Sequence, residues 1–138
     1  AVWEDACVEF FSIPAGDGIY YNVECNCAGT LLIGAGAGRE NREHAPQEVM
    51  DKVQRWSSLG RQSFEERVGE CNWELALVIP YSAFFKHQIT SLDGKTVRAN
   101  FYKCGDKLQT PHFLSWNPIA LEKPNFHCPE FFGTLNFE

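Results

Sequence analysis

Glu9 and Glu24 are the side chains whose type and spacing first invite chemistry. Each lies in a run where apolar and polar residues alternate, the period-two pattern of a strand with unlike faces. Val8 and Phe10 share one parity of the first run, leaving Cys7 and Glu9 on the other face. Ile19, Tyr21, Val23 and Cys25 share one parity of the second, leaving Tyr20, Asn22, Glu24 and Asn26 opposite. If both apolar sets face one core, the two carboxylates share the outer face and stand close together. Two carboxylates on one sheet face repel unless a cation or a donor sits between them. A third run, with Val97, Ala99 and Phe101 inward, turns Arg98, Asn100 and Tyr102 outward and makes Arg98 the candidate cation.

Such a face can bind a sugar, because carboxylates and amides bond hydroxyls while an aromatic ring covers the apolar C–H surface. Trp3, beside Glu4 and Asp5, is the best exposed ring for that task, whereas Trp56 and Trp73 have core periodicity and Trp116 suits either role. The same carboxylates could instead serve a glycoside hydrolase. Facing cross-strand residues lie about 4.5–5.5 Å apart at Cβ, and retaining glycosidases hold their carboxyl groups about 5–5.5 Å apart. Carboxylates on an open sheet lack the desolvation that raises the pKa of an acid, however, so binding is the preferred reading. The plain alternative is a solvated face on a structural or interaction domain.

Other chemistry has weaker signals. His127 and Cys128 are sequence neighbours, so on a strand they point apart, which disfavours a nucleophile pair. His44, His87 and His112 show no metal-ligand spacing. Gly34 to Gly38 lacks the Gly-Lys-Ser/Thr ending of a phosphate loop and reads as a flexible loop. The six cysteines, at 7, 25, 27, 71, 104 and 128, read as mostly free, buried thiols, with a bridge or a metal as lesser alternatives. Cys25-x-Cys27 is closer spaced than a zinc knuckle.

The positioning elements are mostly strands. Residues 6–13 and 19–29 form a hairpin around Pro14-Ala15-Gly16-Asp17-Gly18, and 30–33 is a short apolar run. Pro46, then Val49, Val53 and Trp56 at i, i+4 and i+7, predict a helix over about 46–58 with Gly60 beyond its end. Further strands are expected at 71–79, 96–104 and 133–137, with a helical turn near 81–85 and a tail from 110 rich in proline and aromatics. No βαβ alternation appears, so the fold class is all-β: one domain over 1–138, an antiparallel β-sandwich with one short inserted helix.

Composition bounds the partners. Of 138 residues, 44% are hydrophobic and 14% aromatic, which excludes a disordered chain. Twelve Lys+Arg against 18 Asp+Glu give a net charge of −6, unsuited to a nucleic-acid backbone. No apolar run approaches a membrane span, and Ala1-Val2-Trp3-Glu4-Asp5 is not a signal peptide.

Three stretches carry a resemblance. Trp3-Glu4-Asp5-Ala6-Cys7-Val8-Glu9-Phe10-Phe11 resembles the Trp-Glu-Asp…Val-Glu-hydrophobic-Phe motif of family 9 carbohydrate-binding modules. Residues 98–106 and 124–133 look like the Bacteroidetes-type branch of that family, and the likeness runs from Trp3 to Phe137. It implies a jelly-roll β-sandwich that clamps a sugar between two rings, often at a polysaccharide end. Trp3 matches one clamp ring; Phe126 stands where sugar-binding members have a second Trp. Glu9 matches a carboxylate that bonds sugar hydroxyls, Glu24 a position that can be Arg, and Asn100 and Tyr102 lie on a strand that supplies polar contacts. The resemblance implies a carbohydrate ligand, an extracytoplasmic location and an attached catalytic domain in some settings. It also implies strands N-terminal to this sequence. No cofactor is expected; some relatives hold a structural calcium, for which no ligands are assigned here.

Overall fold

The computed structural model describes residues 2–138, apart from the side chain of Trp3. The fold is antiparallel and sandwich-like. Its main sheet is built on a hairpin of β1 (Cys7–Ile13) and β2 (Tyr20–Asn26). To one side, β2 pairs with β3 (Leu31–Gly36), which pairs with the two-residue β4 (Glu43–His44). To the other, β1 pairs along its whole length with the ten-residue β7 (Thr96–Gly105). The far edge of β7 is shared: β9 (Gly133–Asn136) pairs with its first half and β8 (His112–Ser115) with its second. A separate hairpin of β5 (Gln54–Ser57) and β6 (Leu75–Val78) completes the strands.

The alternation read from the sequence holds in register. Val8 lies opposite Cys25 and Phe10 opposite Val23 and Phe101, while Glu9 lies opposite Glu24 on one side and Tyr102 on the other. The apolar face is covered by the β5–β6 hairpin and by residues 79–92, which bury Val23, Cys25, Leu31 and Ile33 in one cluster and Tyr21, Ala35 and Val97 in another.

Three expectations are corrected. The helix α1 spans only Gln47–Met50, and residues 54–57 are a strand. The i, i+4, i+7 spacing suits a helix, but here tertiary partners decided. Arg55 Nη1 donates to the Gly29 carbonyl at 3.1 Å and the Ser57 hydroxyl donates to the Cys27 carbonyl, pinning β5 to the β2–β3 turn. Trp56, expected in the core, is consequently 55% exposed. Second, Gly34-Ala35-Gly36 is not a loop but the buried end of β3. Third, the face expected to be outer is closed. Glu9, Asn22, Glu24 and Asn100 are all buried, because the proline- and aromatic-rich segment after β7 folds across them.

Candidate functional site

That covering segment is held by rings. Phe11, buried on the polar-parity face, stacks with Tyr20 at 5.7 Å and meets Tyr102, His127 and Phe132 edge-on. Tyr102 stacks flat on Phe126 with centroids 4.1 Å apart, and its hydroxyl donates to the Phe126 carbonyl at 3.1 Å. The Tyr20 hydroxyl bonds His127 Nδ1 at 2.7 Å. Burial lowers the His127 pKa to about 4, so the ring is neutral at ordinary pH.

Between this segment and the sheet lies a cavity of about 150 Å³. Glu9, Glu24 and Cys104 line it from the sheet, Arg39 and Arg42 from the β3–β4 connection, and Phe113, Asn125, Phe126 and His127 from the C-terminal part. The glutamates are hydrogen-bonded to each other. Desolvation, with Glu24 adding to it, pushes Glu9 far above the carboxylate range, so Glu9 carries the shared proton. Glu24 is raised by burial too, but the bonds from Glu9 and Asn22 and the charge of Arg42 oppose the rise. Asn22 Nδ2 donates to Glu24 Oε2 at 2.8 Å, and Arg42 Nη1 donates to Asn22 Oδ1 at 2.6 Å.

Arg42 reaches this position because β3 has no side chains in its way. A Cβ on Gly34 would lie 2.8 Å from Asn22 Oδ1 and 3.2 Å from Arg42 Nη1; one on Gly36 would lie 3.0 Å from Arg42 Cγ. The glycines form a bare strip of sheet under the guanidinium. Asn41, at φ 59°, takes the left-handed conformation in the turn that delivers Arg42.

The expected site residues are thus partly brought together. Glu9, Glu24 and Phe126 line one cavity; the side chain of Trp3 lies outside the described residues. Arg98 does not stand between the carboxylates. It pairs with Ile13, at the far end of β1 from Glu9, and Nη2 donates to the Phe132 carbonyl at 2.7 Å. The nearby cation is Arg42, which acts on Glu24 through its charge and through Asn22 rather than standing between the carboxyl groups. Asn100 is fully buried, its amide spent on the backbone of Asn117 and Phe101. Tyr102 is likewise buried and holds Phe126 in place. Sequence reading missed Arg39, Arg42, Asn125 and His127. The one trace in the sequence is the strand-spaced pair Gly34 and Gly36 a few residues before Arg39 and Arg42, which hydropathy alone does not single out.

The model of carbohydrate-binding family 9 matches residues 1–137. The chain belongs to carbohydrate-binding family 9. Among solved structures, a "putative carbohydrate-binding protein" from Bacteroides uniformis ATCC 8492 is similar at 70% identity with a TM-score of 0.96. The match covers 99% of this chain and 63% of that one, so the present chain spans under two thirds of that protein. No curated protein matches. No helix is long and apolar enough to cross a membrane. A structural calcium of the sort held by some relatives needs six to eight oxygen ligands. Among the described residues the gathered metal-ligating cluster is Cys7, Glu9 and Cys104, whose two sulfurs do not fit that ion.

Proposed function

We propose that this family 9 chain binds a carbohydrate, without cleaving it, in the cavity over Glu9 and Glu24. The observation that carries the reading is the cavity's lining: the carboxyl groups of Glu9, Glu24 and Asp106, two guanidiniums and an amide beside the ring of Phe126. Sugar hydroxyls both donate and accept, and this set offers both partners, while the ring suits a C–H face. Trp3 is proposed as the second ring, from its match to the family motif, and Tyr102 as the support that holds Phe126. Polysaccharide ligands outside the cytoplasm, with a catalytic domain on the same protein, suit such a module.

The hydrolase reading is disfavoured by the carboxyl groups themselves. Glu9 and Glu24 share a hydrogen bond, closer than the separation of about 5 Å or more that flanks a scissile glycosidic bond.

Calorimetric titration with a panel of neutral and acidic mono- and oligosaccharides tests the proposal. At least tenfold weaker binding is expected for Arg42→Ala and Phe126→Ala, with Phe101→Ala on the opposite sheet face unchanged. Wild-type affinity in both cavity variants would overturn the assignment.

A further inference from the structure

At the floor of the cavity Glu9 meets two thiols that carbohydrate binding does not require. Cys7 and Cys104 are register partners on β1 and β7, and Glu9 follows Cys7 by two residues on the same face. All three are buried. Their ligand atoms lie within 4.8 Å of one another, and the Cys104 thiol donates to Glu9 Oε1 at 3.2 Å. The two thiols are also hydrogen-bonded to each other.

We propose that Cys7, Cys104 and Glu9 form a binding site for a thiophilic divalent cation of the zinc class. Zinc–sulfur and zinc–oxygen bonds of about 2.3 and 2.0–2.2 Å imply ligand–ligand edges of about 3.6–3.8 Å in a tetrahedron. The three donor atoms, all within 4.8 Å of one another, need shift by no more than about an ångström to meet it. Strand pairing sets their spacing, so little ordering is left for the metal to impose.

The surroundings support a cation. Asn22 donates to Glu24 and Arg42 donates to Asn22, which keeps Glu24 in place beside Glu9 once Glu9 has given up the proton the two share without the ion. Binding of the ion displaces the protons of the two thiols and of Glu9 to solvent. Cys104 and Glu9 both line the cavity, which supplies the entry path and leaves the fourth coordination position for water or Glu24. The chief rival use of two adjacent thiols is a disulfide. None joins any of the six cysteines here, and a disulfide would give the buried carboxyl beside them no role.

The experiment uses the full chain, reduced and stripped with a chelator, titrated with Co²⁺ as the spectroscopic probe. One equivalent should produce thiolate-to-cobalt charge-transfer absorption with tetrahedral visible bands, and Zn²⁺ should abolish them. Cys7→Ser and Cys104→Ser should lose the charge-transfer band, Glu9→Gln should keep a band but bind at least tenfold more weakly, and Cys128→Ser should match wild type. No charge-transfer band in the wild-type chain would overturn the site, whatever the variants do. So would a band that survives both Cys7→Ser and Cys104→Ser, or purified chain holding a Cys7–Cys104 disulfide whose reduced form takes no cobalt. No sugar enters the measurement, so its failure is separable from failure of the carbohydrate reading.

Discussion

The two faces of the main sheet are made from the same strands and solve opposite problems. On one, Val23, Ile33, Val97 and their neighbours pack by area alone, and a groove lined by Phe10, Phe101, Leu75, Leu77 and Phe137 is left partly open. On the other, Phe11, Tyr20, Tyr102 and Phe132 close tightly around carboxyl groups that burial would otherwise penalise. The apolar face tolerates looseness because each contact contributes independently of direction. The polar face tolerates little, because a buried donor or acceptor that loses its partner costs more than the bond was worth. Rigid, directional surroundings are the property a sugar pocket or a metal site needs.

Truncating equivalent rings gives the largest expected contrast. Phe11→Ala should cost about 3–5 kcal/mol in denaturant unfolding, since the ring is fully enclosed. Phe10→Ala, beside the open groove, should cost about 1–2 kcal/mol. Equal losses would mean that the two faces are equally closed.

Arg42→Met should come next, at about 1–3 kcal/mol, because Asn22 Oδ1 loses its donor and Glu24 its nearby cation. Adding Glu24→Gln should recover part of that loss if the guanidinium acts by charge; no recovery in the double variant would limit Arg42 to its bond with Asn22 and to packing.

A pH titration sharpens the comparison further. His127 belongs to the polar face, and its folded pKa, about 4, lies below the value of about 6.5 expected when unfolded. The unfolded chain therefore binds the proton more readily. The contribution is whole above pH 6.5 and is lost as pH falls toward 4. With solvent screening allowed for, the loss should be about 1–2 kcal/mol. Melting followed between pH 7 and 4 should show a shallower decline in His127→Gln; an unchanged slope would remove His127 as a source.

The smallest effect is expected outside both faces. Trp56→Thr, on the exposed β5, should change stability by less than about 0.5 kcal/mol, as measured by thermal melting. A larger loss would mean that Trp56 packs against something in solution.

Much of the sheet was legible beforehand because a strand's two faces are written in its alternation. Glu9 and Glu24 could be put on one face, near each other, from parity alone. Arg42 could not, because its approach depends on the absence of side chains at Gly34 and Gly36, and an absence carries no hydropathy signal. The region 46–58 misled for a related reason. Its spacing suits a helix, but local preference amounts to tenths of a kcal/mol per residue, and pairing with Leu75–Val78 outweighs it.

Local pattern, then, determined the strands, the side of the sheet each residue faces, the all-β class and the ring and carboxylate types available for binding. Only the tertiary structure decided that the polar face is buried rather than wet, that Arg42 and not Arg98 serves the carboxylates, and that Cys7 and Cys104 meet beside Glu9. The physical reason is distance along the chain. Parity depends on neighbours two residues apart, whereas burial and charge depend on which remote segment folds across the face, here one that begins after residue 105.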